Sequence, residues 1–154
     1  MNAIFKKTAN DETTSATSLL PLVPLRDIVI FPKQTVSFLV GRKKSMNAIF
    51  EAMGGDKTIF LTTQKKSDIE DPLDKEVNQC GIVGEIRELL HLPNGTAKVV
   101  VEGTLRATVK RIIPEENYSR AEVETFEDRR APAAETAALC RLVIVKVKHY
   151  AEQN

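Results

Sequence analysis

The sequence predicts a mainly β fold with some α-helix, in which about six strands form a closed or partly closed barrel around one packed helix. Many short apolar runs carry this prediction, because glycines and prolines punctuate them and several alternate at period two. The Asn94-Gly95 pair lies between two of the longest runs and predicts a tight hairpin with positive φ at both residues. Closure is favoured because it removes the exposed edges of an open sheet.

Composition limits the classes of protein that need consideration. The chain has 154 residues, 42% of them hydrophobic and 28% charged, which is typical of one globular domain with an appendage. The formal net charge of +1 provides no long-range field, which argues against nucleic acid and anionic membranes as partners. Only two cysteines are present, Cys80 and Cys140, and they lie far apart without Cys-x-x-Cys spacing, so neither a disulfide framework nor a zinc site is indicated.

The first ordered element is expected after a flexible leader. Residues 1–17 are rich in Thr, Ser, Asn and acidic side chains, so ordering them would cost entropy without burying apolar surface. Residues 19–25 follow as a strand whose two prolines predict an edge or irregular position. The run 28–32 reads as a further buried segment that ends at a proline.

The next two elements are a strand and a helix. Residues 36–41 predict an apolar strand that ends at a glycine. From Arg42 the spacing of apolar residues changes to that of a helix of about three turns, ended by Gly54-Gly55. The residues predicted to share the core face of this helix are Met46, Ile49, Phe50 and Met53.

A strand over residues 57–63 leads into a polar loop over 65–72, which is the predicted site of greatest mobility. The acidic residues of this region suggest ion binding by their composition. They lack the glycine and the twelfth-position glutamate of a calcium-binding hand, so we expect no metal there. These residues are Asp68, Glu70, Asp71 and Asp74.

The remaining strands form a long hairpin and its continuation. Residues 82–86 open the hairpin, residues 105–110 alternate at period two, and residues 119–126 provide a final strand. Gly103 interrupts the second arm of the hairpin and predicts a bulge or sharp bend that curves the sheet.

The C-terminal part predicts a helix that starts near Pro132. Its run Leu142–Val147 is rich in β-branched residues, which lowers helix propensity, but no turn signal interrupts it. Apolar side chains on several sides require a partner, so we expect this helix to belong to a larger structure. Its predicted face comprises Ala134, Ala137, Ala138, Leu142, Val145 and Tyr150.

No catalytic, cofactor-binding or metal-ligating constellation is found in the sequence. Phosphate-binding loops, dinucleotide-binding glycine motifs and nucleophile elbows are absent, and His91 and His149 lack partners at catalytic spacing. The chain alone is therefore expected to be a binding or assembly module and no enzyme. Without a signal peptide or an apolar run of membrane-spanning length, we expect a cytoplasmic location.

Four segments in order resemble the N-terminal domain of the Lon family of ATP-dependent proteases. They are Pro24-Leu25-Arg26-Asp27-Ile28-Val29-Ile30-Phe31-Pro32, Val40-Gly41-Arg42-Lys43-Lys44-Ser45, Gly81-Ile82-Val83-Gly84-Glu85-Ile86 and the stretch from Leu92 to Gly103. The resemblance covers residues 19–127. It implies a PUA-like pseudo-barrel over residues 18–130, and residues 131–154 would begin a helical segment that leads to ATPase and protease domains.

The resemblance also implies a function in protein quality control. This domain would recognise unfolded, damaged or degron-bearing proteins and support hexamer assembly of an ATP-dependent serine endopeptidase. ATP and magnesium are implied only for the ATPase domain, which this chain does not contain, so no cofactor is expected here.

The predicted substrate contacts are the apolar residues least easily placed in a core: Phe31, Pro32, Leu89, Leu90 and Leu92. Each of them could equally be core. One alternative is a stand-alone PUA-like module that binds RNA or protein, although this rests on fold analogy. Another is pure assembly, in which residues 132–154 pair with neighbouring subunits.

Overall fold

The computed structural model of the protein describes residues 16–127 and 132–153. Most of the predicted leader, residues 1–17, lies outside these ranges, as does the predicted domain boundary at residues 130 and 131. Thr17 already belongs to the first strand, so the predicted leader extends too far by at least this residue.

Six strands and two helices occupy the described ranges, which confirms the mainly β fold with a packed helix. In chain order they are β1 (Thr17–Leu25), β2 (Thr35–Val40), α1 (Lys43–Met53), β3 (Thr58–Thr63), β4 (Cys80–His91), β5 (Ala97–Pro114), β6 (Ser119–Phe126) and α2 (Ala133–Gln153). The predicted final strand agrees with β6 at both ends.

The strands close into a pseudo-barrel through the length of β5. The sheet order is β2-β5-β4-β3-β1-β6, and a further pairing of β6 with β5, the second strand in this order, closes the sheet. The first part of β5, residues 97–102, pairs with β2, whereas residues 106–114 pair with β6. Five strands, β5, β4, β3, β1 and β6, therefore form the closed ring. β2 lies outside this ring and, among the described strands, pairs only with the first part of β5.

Bulges give the long strands the curvature that closure requires. Val83 pairs with Leu105 and Gly84 pairs with Gly103, so Thr104 is an extra residue on β5. This confirms the bend predicted at Gly103. Similar register shifts occur beside Ile86 on β4 and Val109 on β5.

β1 changes partner halfway along its length. Residues 17–21 pair with β6 in antiparallel fashion, and residues 22–25 pair with β3 in parallel fashion. Each half therefore has one side without a strand partner, where proline costs no ladder hydrogen bond. The predicted irregular position of this strand is thus correct, but β1 lies between two strands and is no outer edge of the sheet.

The segment predicted as a buried run over residues 28–32 forms a loop between β1 and β2. Ile30 alone is buried in it, while Val29 and Phe31 are 60% and 53% exposed. Lys33 has a φ of 63°, so the extended backbone of this segment ends there. The prediction of burial was therefore wrong for Val29 and Phe31.

Helix α1 ends at Met53, directly before Gly54, as predicted. Its buried face differs from the predicted one and consists of Ser45, Ala48, Ile49 and Ala52. Small side chains let the helix approach the sheet closely, so Met46 and Met53 lie at the border of the core. Phe50 is exposed and stacks on His91, with ring centroids 5.5 Å apart.

The hairpin between β4 and β5 has a three-residue loop. Leu92 N–H donates to the Thr96 carbonyl, and Gly95 N–H donates to the Leu92 carbonyl. Only Gly95 has positive φ, at 80°, while Asn94 accepts a hydrogen bond from Thr96 N–H. The predicted hairpin is confirmed, but the prediction of positive φ at Asn94 was wrong. The loop consists of residues 93–95, and in a three-residue loop of this kind the third residue, here Gly95, has the positive φ.

β3 is buried on both faces and separates two core clusters. Ile59 and Leu61 belong to the cluster under α1, whereas Phe60 belongs to the cluster formed mainly with β5 and β6. This explains the continuous apolar run of β3.

Helix α2 differs from α1 in that it has no buried residue. Within the described ranges, no helix has the length and hydropathy needed to cross a bilayer.

Candidate binding surfaces

The first candidate surface, called here the loop surface, consists of Val29 and Phe31 in the loop between β1 and β2. Both side chains line a cavity of about 240 Å³, whose wall also includes Cys80, Ile82 and Arg106. Two exposed apolar side chains beside a concave site form a surface that can take up apolar groups from solution.

The backbone holds Phe31 in this exposed position. Phe31 N–H donates to Gln34 Oε1 at 3.1 Å, and Gln34 N–H donates to the Phe31 carbonyl at 3.2 Å. Gly103 of β5 binds the same turn, because its carbonyl accepts from Lys33 N–H at 2.7 Å and its N–H donates to the Gln34 carbonyl at 2.9 Å. The turn is therefore fixed to the barrel.

The second candidate surface, called here the tip surface, crosses three strands near the hairpin tip. Leu90 of β4 pairs with Lys98 of β5, which pairs with Leu39 of β2. Leu90 is 51% exposed and Leu39 is 66% exposed. Since paired residues point to the same side of a sheet, two leucines flank the lysine stem on the outer face.

The structure separates the predicted contact residues into two groups. Phe31 and Leu90 are exposed, whereas Pro32, Leu89 and Leu92 are half-buried, and Leu89 packs against the core. The loop and tip surfaces are separate, because Phe31 lies beside Gly103 while Leu90 pairs with Lys98, five residues or about 16 Å away along β5. Their contact with a substrate stays a prediction.

Sequence reasoning missed Val29 and Leu39 as exposed apolar residues. A signal for Leu39 exists, since strict alternation in β2 places it opposite to Phe38 and Val40, which are buried. No local signal marks Val29, because its exposure depends on how the loop folds against Gly103.

A larger cleft of about 700 Å³ lies between the end of β1 and β2. Residues 23–28 form one wall and residues 37–42 form the other, with Ser45 and Glu70 between them. The lining mixes apolar side chains with two arginines and two acidic residues. Apolar walls with a few polar groups are typical of ligand-binding clefts.

Arg42 joins the two walls of this cleft. Its Nη1 donates to Gln64 Oε1 at 2.7 Å and to the Glu70 carbonyl at 3.0 Å, and its Nη2 donates to the Pro24 carbonyl. Burial lowers the pKa of the Arg42 guanidinium, and the charge of Arg26 lowers it further, while Glu70 and Asp71 oppose both effects. The guanidinium still carries its charge at neutral pH.

The acidic loop predicted to be mobile is attached to the rest of the fold by its carboxylates. Glu70 pairs with Arg26 at 3.2 Å, and Asp71 pairs with Lys44 at 2.8 Å. Asp74 accepts a hydrogen bond from Ile112 N–H. In the part of the chain that the structure describes, no three His, Cys, Asp or Glu side chains converge on a metal site.

A comparison with protein families gives a match over residues 19–154 to the ATP-dependent protease La (LON) substrate-binding domain. The Lon protease of Brucella abortus biovar 1 is 39% identical over 100% of this chain. Lon protease 1 of Syntrophobacter fumaroxidans is 40% identical over 98% of it. The chain spans 19% of the length of each protease.

Solved structures show a similar fold. The N-terminal domain of Mycobacterium avium complex Lon protease matches with a TM-score of 0.67 and 16% identity, over 88% of this chain and 70% of that one. The Lon N-terminal domain protein from Xanthomonas campestris matches with a TM-score of 0.57 and 19% identity, over 82% and 74% of the two chains.

Proposed function

The chain belongs to the family of Lon substrate-binding domains, and from this premise we propose that it captures exposed apolar segments of unfolded, damaged or degron-bearing proteins. The loop surface is the observation that carries this proposal. Phe31 is 53% exposed, and the turn that follows it is fixed to Gly103 through the backbones of Lys33 and Gln34, so the exposed apolar side chain lies on an ordered part of the backbone.

Apolar capture distinguishes unfolded from folded proteins on physical grounds. Unfolded chains display the apolar side chains that folded proteins bury, and removing this surface from water favours binding by about 25 cal/mol per Å². A rigid barrel adds to this because its backbone needs little ordering on binding. The loop and tip surfaces thus provide two small contact areas on a preorganised scaffold.

The proposal includes a place in a larger machine. We propose that the domain holds substrates for the ATPase and serine protease domains of a Lon-type enzyme, without catalysing a step itself. Self-association through the hexamer of that enzyme, a role in protein quality control and a cytoplasmic location complete the proposal. Support comes from the relatives, which are Lon proteases about five times as long as this chain.

The test measures binding of a reduced and alkylated, permanently unfolded model protein to the 154-residue chain. Phe31→Asp and Leu90→Asp each place a charge on one candidate surface, and we expect each to weaken binding about three- to tenfold. Both positions are exposed, so the urea unfolding midpoint of each variant should stay near that of the parent.

Leu73→Asp is the matched control, because Leu73 is 57% exposed and lies in neither surface. Its affinity for the unfolded protein should equal that of the parent chain. Parent-like binding by folded Phe31→Asp and Leu90→Asp variants would remove both surfaces from the proposal. Absence of any binding by the parent chain would refute apolar capture as its function.

A further inference from the structure

β2 is an edge strand that lacks the usual protection against added strands. It pairs with β5 on one side, and no strand in residues 16–127 or 132–153 pairs with its other side. Its sequence Thr-Val-Ser-Phe-Leu-Val contains no charge and no proline, and its pairing with β5 contains no bulge. Natural edge strands usually carry at least one of these devices, which prevent pairing with foreign strands.

The register shows which backbone groups are available at this edge. The Gln34 carbonyl accepts from Gly103 N–H, so the backbone of Gln34 faces β5. N–H and C=O groups of alternate residues point to opposite sides of a strand. Thr35, Ser37 and Leu39 therefore direct their N–H and C=O groups away from β5, toward the 700 Å³ cleft lined by Ser37 and Leu39.

The opposite wall of the cleft is protected against strand addition. Pro24 has no N–H to offer, and its carbonyl already accepts a hydrogen bond from Arg42. The chain therefore blocks the β1 edge and leaves the facing β2 edge open. This asymmetry makes β2 the side of the cleft on which a further strand can pair.

We propose that the β2 edge binds an extended segment of an unfolded protein as an additional β-strand within this cleft. The proposal rests on the function proposed above and specifies how the backbone of the substrate is held. N–H and C=O groups of every second substrate residue would pair with Thr35, Ser37 and Leu39. These groups are common to all polypeptides, so the contact accepts many sequences.

The cleft also selects a chemical pattern along the segment. The span from Thr35 to Leu39 is about 13 Å, which accommodates roughly five extended residues. Ile28, Phe38 and Val40 line the cleft, so alternate side chains of the added strand would meet apolar groups. Arg26 and Glu70 balance each other in charge, which leaves no preference for an ionic ligand.

The first test uses a labelled ten-residue peptide with alternating apolar residues and two N-methylated forms of it. One form is methylated at the odd amides and the other at the even amides, so that each loses the donors of one edge and keeps every side chain. Strand addition predicts that one form loses at least about tenfold in affinity while the other stays within about threefold.

Equal binding of both methylated forms and the parent peptide would overturn strand addition while leaving apolar capture intact. Failure of the parent peptide to bind would also overturn it. Apolar capture is judged separately by the unfolded model protein, so failure of the two proposals gives different results.

The second test locates the edge on the domain. Ser37→Pro removes a free donor of the β2 edge, whereas Ser37→Ala removes only the hydroxyl and is the matched control. We expect about a tenfold loss of peptide affinity for the first and less than about a threefold change for the second.

Amide hydrogen exchange on the unaltered chain gives a readout that does not depend on folding of the proline variant. The Ser37 and Leu39 amides should exchange fast in the free chain and become protected when the peptide binds. Unchanged exchange at both amides under saturating peptide would exclude the β2 edge as the site.

Discussion

Gly103 is the residue where the backbone of β5 meets the loop that presents Phe31. A Cβ atom at this position would lie 2.4 Å from the Phe31 carbonyl oxygen and 3.2 Å from Ile82 Cγ1. The first distance is below any contact that real Cβ atoms make, and the atom it meets belongs to the backbone. Glycine is therefore required here by close approach, since two chain segments share the space of one side chain.

Gly103→Ala should lower the free energy of unfolding by about 1–3 kcal/mol, because either the loop or β5 must move. Gly54→Ala is the control, since its added Cβ would meet nothing closer than 3.5 Å and its φ is −75°. This control should change stability by less than about 1 kcal/mol. Urea denaturation of both variants measures the difference, and equal stabilities would contradict the close approach.

Arg42 and Arg26 line the same cleft but differ in their expected contributions to stability. Arg42 satisfies the Pro24 and Glu70 carbonyls together with Gln64, whose side chain is buried. Arg26 makes an ion pair with Glu70 in which both side chains are largely exposed. Loss of Arg42 would leave several acceptors without a donor, whereas water can replace Arg26.

We predict that Arg42→Ala lowers the free energy of unfolding by about 1–3 kcal/mol, and that Arg26→Ala lowers it by less than about 1 kcal/mol. Arg42→Lys should not restore stability, because an ammonium group cannot reach acceptors on both walls of the cleft as the planar guanidinium does. Urea denaturation of the three variants tests this. A stable Arg42→Lys variant would show that charge alone suffices.

At the scale of elements, the barrel and α2 differ in how they are stabilised. The barrel strands bury both core clusters, whereas every described side chain of α2 is exposed, including Leu142, Ile144 and Tyr150. β-branched residues disfavour an isolated helix, and no described residue of α2 is buried against the barrel. The stability of the barrel should therefore be independent of α2.

Truncation after Glu127 should leave the free energy of unfolding within about 0.5 kcal/mol of that of the full chain, because no buried side chain of the barrel is lost. The measurement is urea denaturation followed by near-ultraviolet circular dichroism, which reports the tertiary packing of the barrel. Marked destabilisation of the truncated chain would show that α2 or residues 128–132 support the barrel.

For the molecule as a whole, the net charge favours protein over nucleic acid as the proposed ligand. The net charge is +1, and several surface cations pair with acidic side chains, as Arg87 does with Glu85 and Glu102. Hydrogen bonding to Glu102 raises the pKa of Arg87, with smaller contributions from the charges of both carboxylates. A net charge near zero gives little long-range attraction for a phosphate backbone.

We expect the affinity for an unfolded model protein to change less than about threefold when salt rises from about 50 to about 500 mM, because apolar burial is insensitive to screening. A ligand bound through phosphate contacts would lose several orders of magnitude over such a range. Titrations with the unfolded protein and with single-stranded RNA at both salt concentrations measure this. Tight, steeply salt-dependent RNA binding would favour the RNA-binding alternative.

Elements with strong local signals could be predicted from the sequence alone. The predicted final strand over residues 119–126 agrees with β6, Asn94-Gly95 predicted the turn between β4 and β5, and Gly103 predicted the bend. These features depend on backbone preferences of a few neighbouring residues, which is why they can be predicted from one chain. The order of four such segments also sufficed for the family resemblance, which the comparisons confirm.

The exposure of individual apolar residues could be read only from the folded chain. Spacing shows which residues share a face, but burial of that face depends on segments distant in the chain. The core face of α1 therefore contains Ala48 and Ala52, whereas Phe50, which was predicted to lie in it, is exposed. Leu39 is exposed as well. Likewise, β5 pairs with β2 along one part of its length and with β6 along another. This non-local pairing closes the barrel and leaves one edge of β2 without a partner strand among the described residues.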